Sequence, residues 1–272
     1  MKRPESSPTP GIDVVESVDY GYRFLWREHA YLMRIAVAPV AIKIICLLVL
    51  IGLGWEQNFI RSALVMLPSY LAEGWMLAHL IRLVFYDQRW PFEPTGDQVR
   101  DATLLQDRIF GVTGGALFYA LIKFLLSGLL AFLAQMQTAV IQTDPALRGE
   151  PSEIAIIAAF LILLATLWSF RLIFLYVPAS AGIGVRSLIL QRRGLLVSIQ
   201  LMGIWLVSFV PFAMLLLVLT TGLMGGEGSV AVANRFLIVV VQAVCDTLIS
   251  IVSTMGIALA LRKILENQAP SV

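Results

Sequence analysis

The chain has 272 residues, of which 58% are hydrophobic and 14% are charged. Soluble globular domains carry about 45–50% apolar and about 25% charged residues, so this composition excludes an ordinary soluble domain. A net charge of only +2 argues against a nucleic-acid partner, because nucleic-acid-binding domains carry a marked basic excess. Two cysteines, Cys46 and Cys245, lie in apolar runs, and we predict that both are small buried hydrophobic residues.

The N-terminal part of the chain divides into a tail and an amphipathic segment. Residues 1–11 are rich in Pro and Ser and are predicted to be a disordered tail. From Ile12 to about Trp26, apolar residues recur every three or four positions, which predicts an amphipathic helix. Two locations for it stay open, namely the membrane surface and a site packed on the helix bundle. Residues 12–265 are predicted to form a single transmembrane domain, followed by a C-terminal tail at 266–272.

Six apolar runs are long enough to cross about 30 Å of hydrocarbon as helices that rise about 1.5 Å per residue. These predicted spans are residues 35–54, 62–81, 110–133, 154–177, 195–219 and 236–261. Pro39, Pro68 and Pro211 lie inside spans and predict kinks, whereas Pro178 is predicted to end the fourth span. Asp97 is the predicted N-cap of an amphipathic stretch before the third span. We therefore predict an all-α, polytopic membrane helix bundle with cytoplasmic amphipathic helices.

The basic residues predict how this bundle is oriented. Of the 20 Lys and Arg residues, 14 lie in the N-terminal region, the second and fourth loops and the C-terminal tail. The other three loops hold three, and three more lie within spans. The positive-inside rule then places both termini in the cytoplasm. We expect a multi-pass protein of the bacterial inner membrane type.

The cytoplasmic junctions also suggest an internal repeat. Arg82, Arg171 and Arg262 each follow a two-span hairpin, and they are 89 and 91 residues apart. One hypothesis is three parallel copies of an amphipathic helix followed by a hairpin. The alternative is that alternating topology by itself places a basic residue at every cytoplasmic junction.

Charged residues inside the spans are the first candidates for function. Each costs about 2.5–3.5 kcal/mol on insertion scales, so it needs a partner or a hydrated cavity. Lys43 lies nine residues after Arg34, and Glu73 lies nine residues before Arg82. Nine residues correspond to about 13 Å along a helix, so Lys43 and Glu73 have a similar depth and are predicted to pair. Such a pair is either a proton or ion relay or a charge pair that orients two helices.

Two further charged residues lie in the outer half of the predicted bundle. Lys123 and Asp246 are expected to pair if the third and sixth spans touch. Asp246 also belongs to a polar stripe on the sixth span, formed by Gln242, Asp246, Ser250 and either Ser253 or Thr254. A polar stripe faces protein or water rather than lipid. It is therefore either the wall of a substrate path or a row of interhelical hydrogen bonds.

Other features carry weaker signals. His79 is six residues after Glu73 and is predicted to be interfacial, and one histidine cannot form a metal site. Gly111-xxx-Gly115 and Ala116-xxx-Ala120 predict a close approach of another helix to the third span. Four arginines are candidate contacts for anionic lipid headgroups or, alternatively, a solvated basic flank: Arg171, Arg186, Arg192 and Arg193.

Signatures of catalysis are missing from the sequence. It contains no His-Glu-x-x-His, no Gly-x-Ser-x-Gly and no phosphate-binding loop of the Walker type. Its only histidines are His29 and His79. We therefore predict no catalytic residues, no metal ligands and no cofactor.

A few residues resemble a known group of proteins. Phe24-Leu-Trp-Arg27 precedes the first span, and Arg171, Pro178 and Arg193-Gly194 surround the junction before the fifth. This arrangement resembles bacterial six-span membrane proteins of the YciC-like group and the membrane domain that accompanies some glycerophosphodiester phosphodiesterases. The resemblance implies a six-span inner-membrane protein. The soluble phosphodiesterase domain has no counterpart in this sequence, so its activity is not implied.

Three hypotheses for function follow. The first is a structural, assembly or accessory membrane component without a catalytic site, which acts through membrane lipids or other membrane proteins. The second is a small-solute or ion-coupled transporter that uses the intramembrane charges Lys43, Glu73, Lys123 and Asp246. The third, a lipid-modifying enzyme, has the least support. A continuous polar path from Glu73 or Asp246 to one face would favour transport, whereas a dry bundle would favour the accessory role.

Overall fold

The structure is a computed structural model that describes residues 12–55, 58–143, 172–184, 194–224 and 232–268. All regular secondary structure in these residues is α-helical. The helices are α1 (Val14–Arg27), α2 (His29–Leu53), α3 (Phe59–Tyr86), α4 (Gln98–Thr143), α5 (Tyr176–Ser180), α6 (Gly194–Met224) and α7 (Val232–Gln268).

Five of the described helices are long and apolar enough to cross a membrane. The candidate spans are His29–Leu53, Ile60–Tyr86, Gln98–Ser127, Leu195–Gly222 and Asn234–Glu266. Large apolar side chains such as Ile45, Leu64 and Val218 are 60%, 55% and 64% exposed on their outer faces. Lipid accommodates such faces, whereas soluble proteins rarely expose contiguous apolar surface. The chain is therefore an all-helical protein with the features of a multi-pass membrane protein. Most of the predicted fourth span, residues 154–177, lies outside the described residues.

Helix α3 is the axis of the described bundle. It packs against α2, α4, α5 and α7. Residues 76–84 of α3 are all buried, although a helix on the rim of a bundle buries only one face. The polar residues His79 and Arg82 therefore lie among protein rather than lipid.

The boundaries of α3 and α4 correct the sequence prediction. The second span was expected to end at Ile81, but α3 continues to Tyr86 and so includes Arg82. Asp97 caps α4 as predicted, since its Oδ1 accepts hydrogen bonds from Val99 N at 3.1 Å and Arg100 N at 3.3 Å. The amphipathic stretch and the third span then form one helix. No Gly or Pro interrupts residues 98–110, so nothing breaks the backbone hydrogen bonds between them.

The N-terminal amphipathic helix α1 packs on the bundle, one of its two predicted locations. It lies against α6 and α7, with Ser17, Val18, Gly21 and Phe24 buried. A Cβ atom on Gly21 would lie 2.4 Å from the carbonyl oxygen of Val252. One on Gly256 would lie 2.7 Å from that of Ser17. The backbones of α1 and α7 thus cross in close contact because glycine occupies these two positions.

The predicted small-residue motif of the third span also lies at a contact. Gly111 and Gly115 of α4 both face Ser180 of α5, where the chain then turns at Gly182 with φ of +69°. A Cβ atom on Gly115 would lie 1.9 Å from Ser180 Oγ and 3.1 Å from its Cα. Ala116 is in close contact with Gly74 of α3. Pro178 lies inside α5, so the chain turns a few residues after the predicted end of the fourth span.

We expect Gly115→Ala to lower the free energy of unfolding by about 1–3 kcal/mol, the usual effect of overpacking a tight contact. Gly114→Ala is the matched control, because a Cβ atom there meets nothing within 4 Å. Alanine favours helix over glycine by up to about 1 kcal/mol, so this control is expected to be neutral or stabilising. Thermal unfolding of both variants in detergent measures the difference. Equal stability of the two variants would contradict the close α4–α5 contact.

Candidate functional site: an intramembrane charge cluster

Four membrane-spanning helices bring the predicted intramembrane charges into one cluster. Lys43 comes from α2, Glu73 from α3, Lys123 from α4 and Asp246 from α7. Glu73 is within electrostatic range of Lys43 and Lys123, and Asp246 is within range of all three other residues. We call these four residues the intramembrane charge cluster. Glu73 is 14 residues from the start of α3 and 13 from its end, so the cluster lies near the middle of this candidate span.

Lys43 and Glu73 form the ion pair that the helix rise predicted. Lys43 Nζ lies 2.9 Å from Glu73 Oε2. The two residues are only 4% and 1% exposed. A pair this deeply buried loses most of its hydration, so it is stable only if further hydrogen bonds satisfy the remaining donors and acceptors.

Those further hydrogen bonds are incomplete at Glu73. The hydroxyls of Tyr119 and Ser250 lie close to its carboxylate. Apart from the contact of Oε2 with Lys43 Nζ, neither carboxylate oxygen accepts a hydrogen bond of good geometry, and the Oγ atom of Ser69, one turn earlier, is also buried without a partner. In native proteins, buried groups of this kind are usually satisfied by water or by a bound ion. The ion pair is therefore bordered by groups suited to hydration.

Lys123 and Asp246 do not form the direct ion pair that we expected between the third and sixth spans. Both residues are described, and neither has a salt-bridge partner among the described residues. Both α4 and α7 pack mainly on α3, and the contact between them near this level is Tyr119–Ser250. Lys123 Nζ instead lies 5.5 Å from the centroid of the Tyr119 ring, a distance typical of a cation–π contact. Lys123 and Asp246 are within electrostatic range of each other but do not form an ion pair in contact.

Three hydroxyl pairs surround the cluster, and sequence reasoning missed their tyrosines. The oxygen–oxygen distances are 3.0 Å for Tyr70–Ser127, 3.5 Å for Tyr119–Ser250 and 2.7 Å for Tyr176–Thr254. The available signal was helical spacing, since Tyr119 precedes Lys123 by four residues and therefore shares its face.

The polar stripe on α7 forms interhelical hydrogen bonds, one of the two roles that the sequence left open. Ser250 and Thr254 pair with tyrosines of α4 and α5. Thr247 and Ser253 instead donate to carbonyl groups of their own helix. Asp246 is half-buried, and Gln242 is exposed. The stripe therefore joins the buried cluster to the outside of the described bundle.

A second group of polar residues lies at the end of α3, beyond the predicted end of the second span. Arg82 is fully buried. Its Nε donates to Gln88 Oε1 at 2.9 Å, its Nη1 donates to the Ser180 carbonyl at 3.3 Å, and its Nη2 pairs with Asp107. His79, predicted to be interfacial, is also buried, beside Arg108. These contacts hold the α3–α4 loop and α5 against α3.

The remaining predictions concern lipid-headgroup contacts, the cysteines and metal binding. The candidate lipid-headgroup contacts Arg171, Arg186, Arg192 and Arg193 all lie outside the described residues. Cys46 and Cys245 are buried and free of disulfide bonds. Within the described ranges, no group of three or more His, Cys, Asp or Glu side chains is arranged to hold a metal ion.

Known proteins do not identify this chain. No protein-family model, no curated protein and no solved structure matches it. The resemblance to bacterial six-span proteins stays an expectation from a few residues. The function is therefore argued from the chemistry of the intramembrane charge cluster, which combines two carboxylates, two ammonium groups and several hydroxyls.

Proposed function

We propose that the chain is a membrane transporter in which the intramembrane charge cluster takes up a proton or a small cation as part of moving a solute or ion. The observation that carries the proposal is Glu73, which is 1% exposed and whose carboxylate, apart from its contact with Lys43, lacks well-formed hydrogen bonds. A purely structural ion pair is stable when its oxygens are satisfied by protein groups. Intramembrane carboxylates beside water or exchangeable partners are typical of proton and ion pathways.

The arrangement around Glu73 supports a path rather than an isolated pair. Asp246 lies within electrostatic range of Glu73 but has no fixed counter-ion in the described part of the chain. Ser250, one turn after Asp246 on α7, lies close to the Glu73 carboxylate, and Gln242, one turn before Asp246, is exposed. Ser250, Asp246 and Gln242 therefore form a row of polar side chains that leads outward from the buried ion pair.

The proposal includes the finer topology expected from the sequence. It places six spans in a bacterial inner membrane, with both termini cytoplasmic, and retains the threefold helix-plus-hairpin repeat as a hypothesis. The distribution of basic residues supports the orientation. A reporter fused after Val272 that is active only outside the cytoplasm would contradict it.

Water access to the cluster tests the path directly. In a Cys46→Ala/Cys245→Ala background, we expect Ser250→Cys to react with a small, charged methanethiosulfonate reagent in native membranes. The reaction requires a hydrated thiolate, so a dry interhelical contact does not give it. Val244→Cys is the matched control, because Val244 is an apolar residue of the same helix that lies outside the polar stripe and is 39% exposed. Equal resistance of both thiols would contradict the path and leave the accessory role as the better hypothesis.

Ion movement tests the function itself. In proteoliposomes containing a pH-sensitive dye, we expect an imposed membrane potential to drive proton or sodium-linked flux through the wild-type protein. Asp246→Asn is expected to reduce the flux at least about tenfold while leaving thermal stability close to wild type, because it removes a charge without a fixed partner. Asp19→Asn changes an acid on the surface of α1 and is the matched control. Reduced yield and stability of Asp246→Asn, without a specific effect on flux, would indicate a structural role.

A further inference from the structure

Arg108 is a buried cation without a counter-ion in the described part of the chain. The residue is 3% exposed. Arg82 is paired with Asp107, and Arg89 Nη2 lies 3.0 Å from Glu28 Oε2. No described carboxylate pairs with Arg108, although removing a charge from water without a partner costs several kcal/mol.

The groups that face Arg108 do not supply a negative charge. Its Nη2 donates to the carbonyl oxygen of Arg89 at 2.6 Å and lies 3.3 Å from His79 Nδ1. Arginine only donates hydrogen bonds, so this His79 nitrogen is the acceptor and the imidazole is neutral. The Trp90 ring lies 5.5 Å from the guanidinium carbon. Tyr31 and Arg82 are the other polar neighbours.

Part of the guanidinium is left without an acceptor. The Nε atom is buried and has no hydrogen-bond partner. Within the described residues, Nη1 likewise has no protein acceptor. An arginine with free donors, a net positive surrounding and aromatic walls has the chemistry that recognises a phosphate group.

We propose that Arg108 is the centre of a phosphate-binding site at this end of the bundle and that the headgroup phosphate of an anionic phospholipid occupies it. The aromatic residues support a lipid source, because Trp90 lies against Arg108 and is itself in contact with Tyr31 and Trp75, and such residues concentrate where lipid headgroups lie. Trp90 is 42% exposed and belongs to the loop between α3 and α4. Its ring lies 5.5 Å from the guanidinium carbon of Arg108, so a partly exposed side chain borders the buried guanidinium.

Binding of phospholipid to the purified protein tests this site independently of transport. The full-length protein is purified in mild detergent, incubated with phosphatidylglycerol or phosphatidylcholine, and analysed by native mass spectrometry. We expect wild type to retain phosphatidylglycerol and Arg108→Gln to retain at least about tenfold less, as for the loss of a charge-assisted hydrogen bond. Arg100→Gln is the matched control, because Arg100 lies on the same helix and is exposed. Equal retention by these two variants would overturn the site.

A second variant and a second anion complete the test. Arg108→Lys keeps the charge, and its lipid retention is measured in case Arg108→Gln does not fold. We expect it to retain several-fold less lipid than wild type, because one ammonium replaces the planar guanidinium. Retention equal to wild type by Arg108→Lys would overturn the proposal. Thermal stabilisation by inorganic phosphate that depends on Arg108, without lipid retention, would keep the site but assign it a soluble phosphate. Phosphatidylcholine retained as well as phosphatidylglycerol would contradict recognition of an anionic lipid.

Discussion

Lys43→Met is expected to destabilise the protein by about 3–5 kcal/mol, because it leaves the Glu73 carboxylate buried without its cation. The pair is separated by 2.9 Å and both residues are almost completely buried. The double variant Lys43→Met/Glu73→Gln is expected to be more stable than Lys43→Met alone, because it removes both charges together. Unfolding in mixed detergent micelles, followed by circular dichroism, measures the four corners of this double-mutant cycle.

The control for the lost positive charge is Arg34→Met. Arg34 lies on the same helix, nine residues earlier, and is exposed, so its replacement is expected to change stability by less than about 1 kcal/mol. Additive effects of the Lys43 and Glu73 substitutions would show that the two side chains are not coupled. The double variant also bears on the proposed function. If it is stable but no longer carries ion flux, the pair belongs to the transport path as well as to the fold.

Arg82→Lys is expected to lower the free energy of unfolding by at least about 1.5–3 kcal/mol, despite keeping the positive charge. Three guanidinium nitrogens of Arg82 each have a different partner, namely Gln88, Ser180 and Asp107. One ammonium group cannot reproduce that planar arrangement. Hydrogen bonds involving a charged group contribute about 1.5–3 kcal/mol each, and at least one is lost here. Thermal unfolding in detergent gives the size of the effect.

The same substitution has a local consequence that separates it from a general loss of stability. Gln88 and Asp107 lie on the two sides of the α3–α4 loop, so we expect limited proteolysis within residues 87–97 to become several-fold faster in Arg82→Lys. Arg100→Lys, at an exposed position of α4, is expected to behave like wild type in both measurements. An unchanged cleavage rate in Arg82→Lys would show that Arg82 does not hold this loop.

The two arginines at the end of α3 and the start of α4 have opposite environments, although both are buried. Arg82 has a carboxylate and two further acceptors, whereas Arg108 has a carbonyl, a neutral imidazole and a free Nε. Arg82 therefore serves the packing of the loop and α5. Arg108 retains donors for a ligand, which is why the phosphate-site proposal rests on it alone.

The sequence by itself determined the helical, membrane-spanning character of the chain. An apolar run of 20 or more residues must satisfy its backbone hydrogen bonds internally in lipid, and a helix does so without partners. It also determined the Lys43–Glu73 pair, because the two residues lie on consecutive helices joined by a short turn, where helix rise alone sets their relative depth. The Asp97 cap was likewise a local property of its own segment.

Only the tertiary structure decided which distant helix faces meet. Lys123 and Asp246 both lie near Glu73 without forming a direct ion pair, on two helices that pack on α3. Arg82 and Arg108 have the same sequence signature as solvated basic flanks, and their burial depends on neighbours that are far away in the chain. The packing of α1 depends on close contacts with Val252 and Gly256 of α7. Helical periodicity defines the faces of one helix, but contacts between helices depend on side-chain packing and interhelical hydrogen bonds that no single segment encodes.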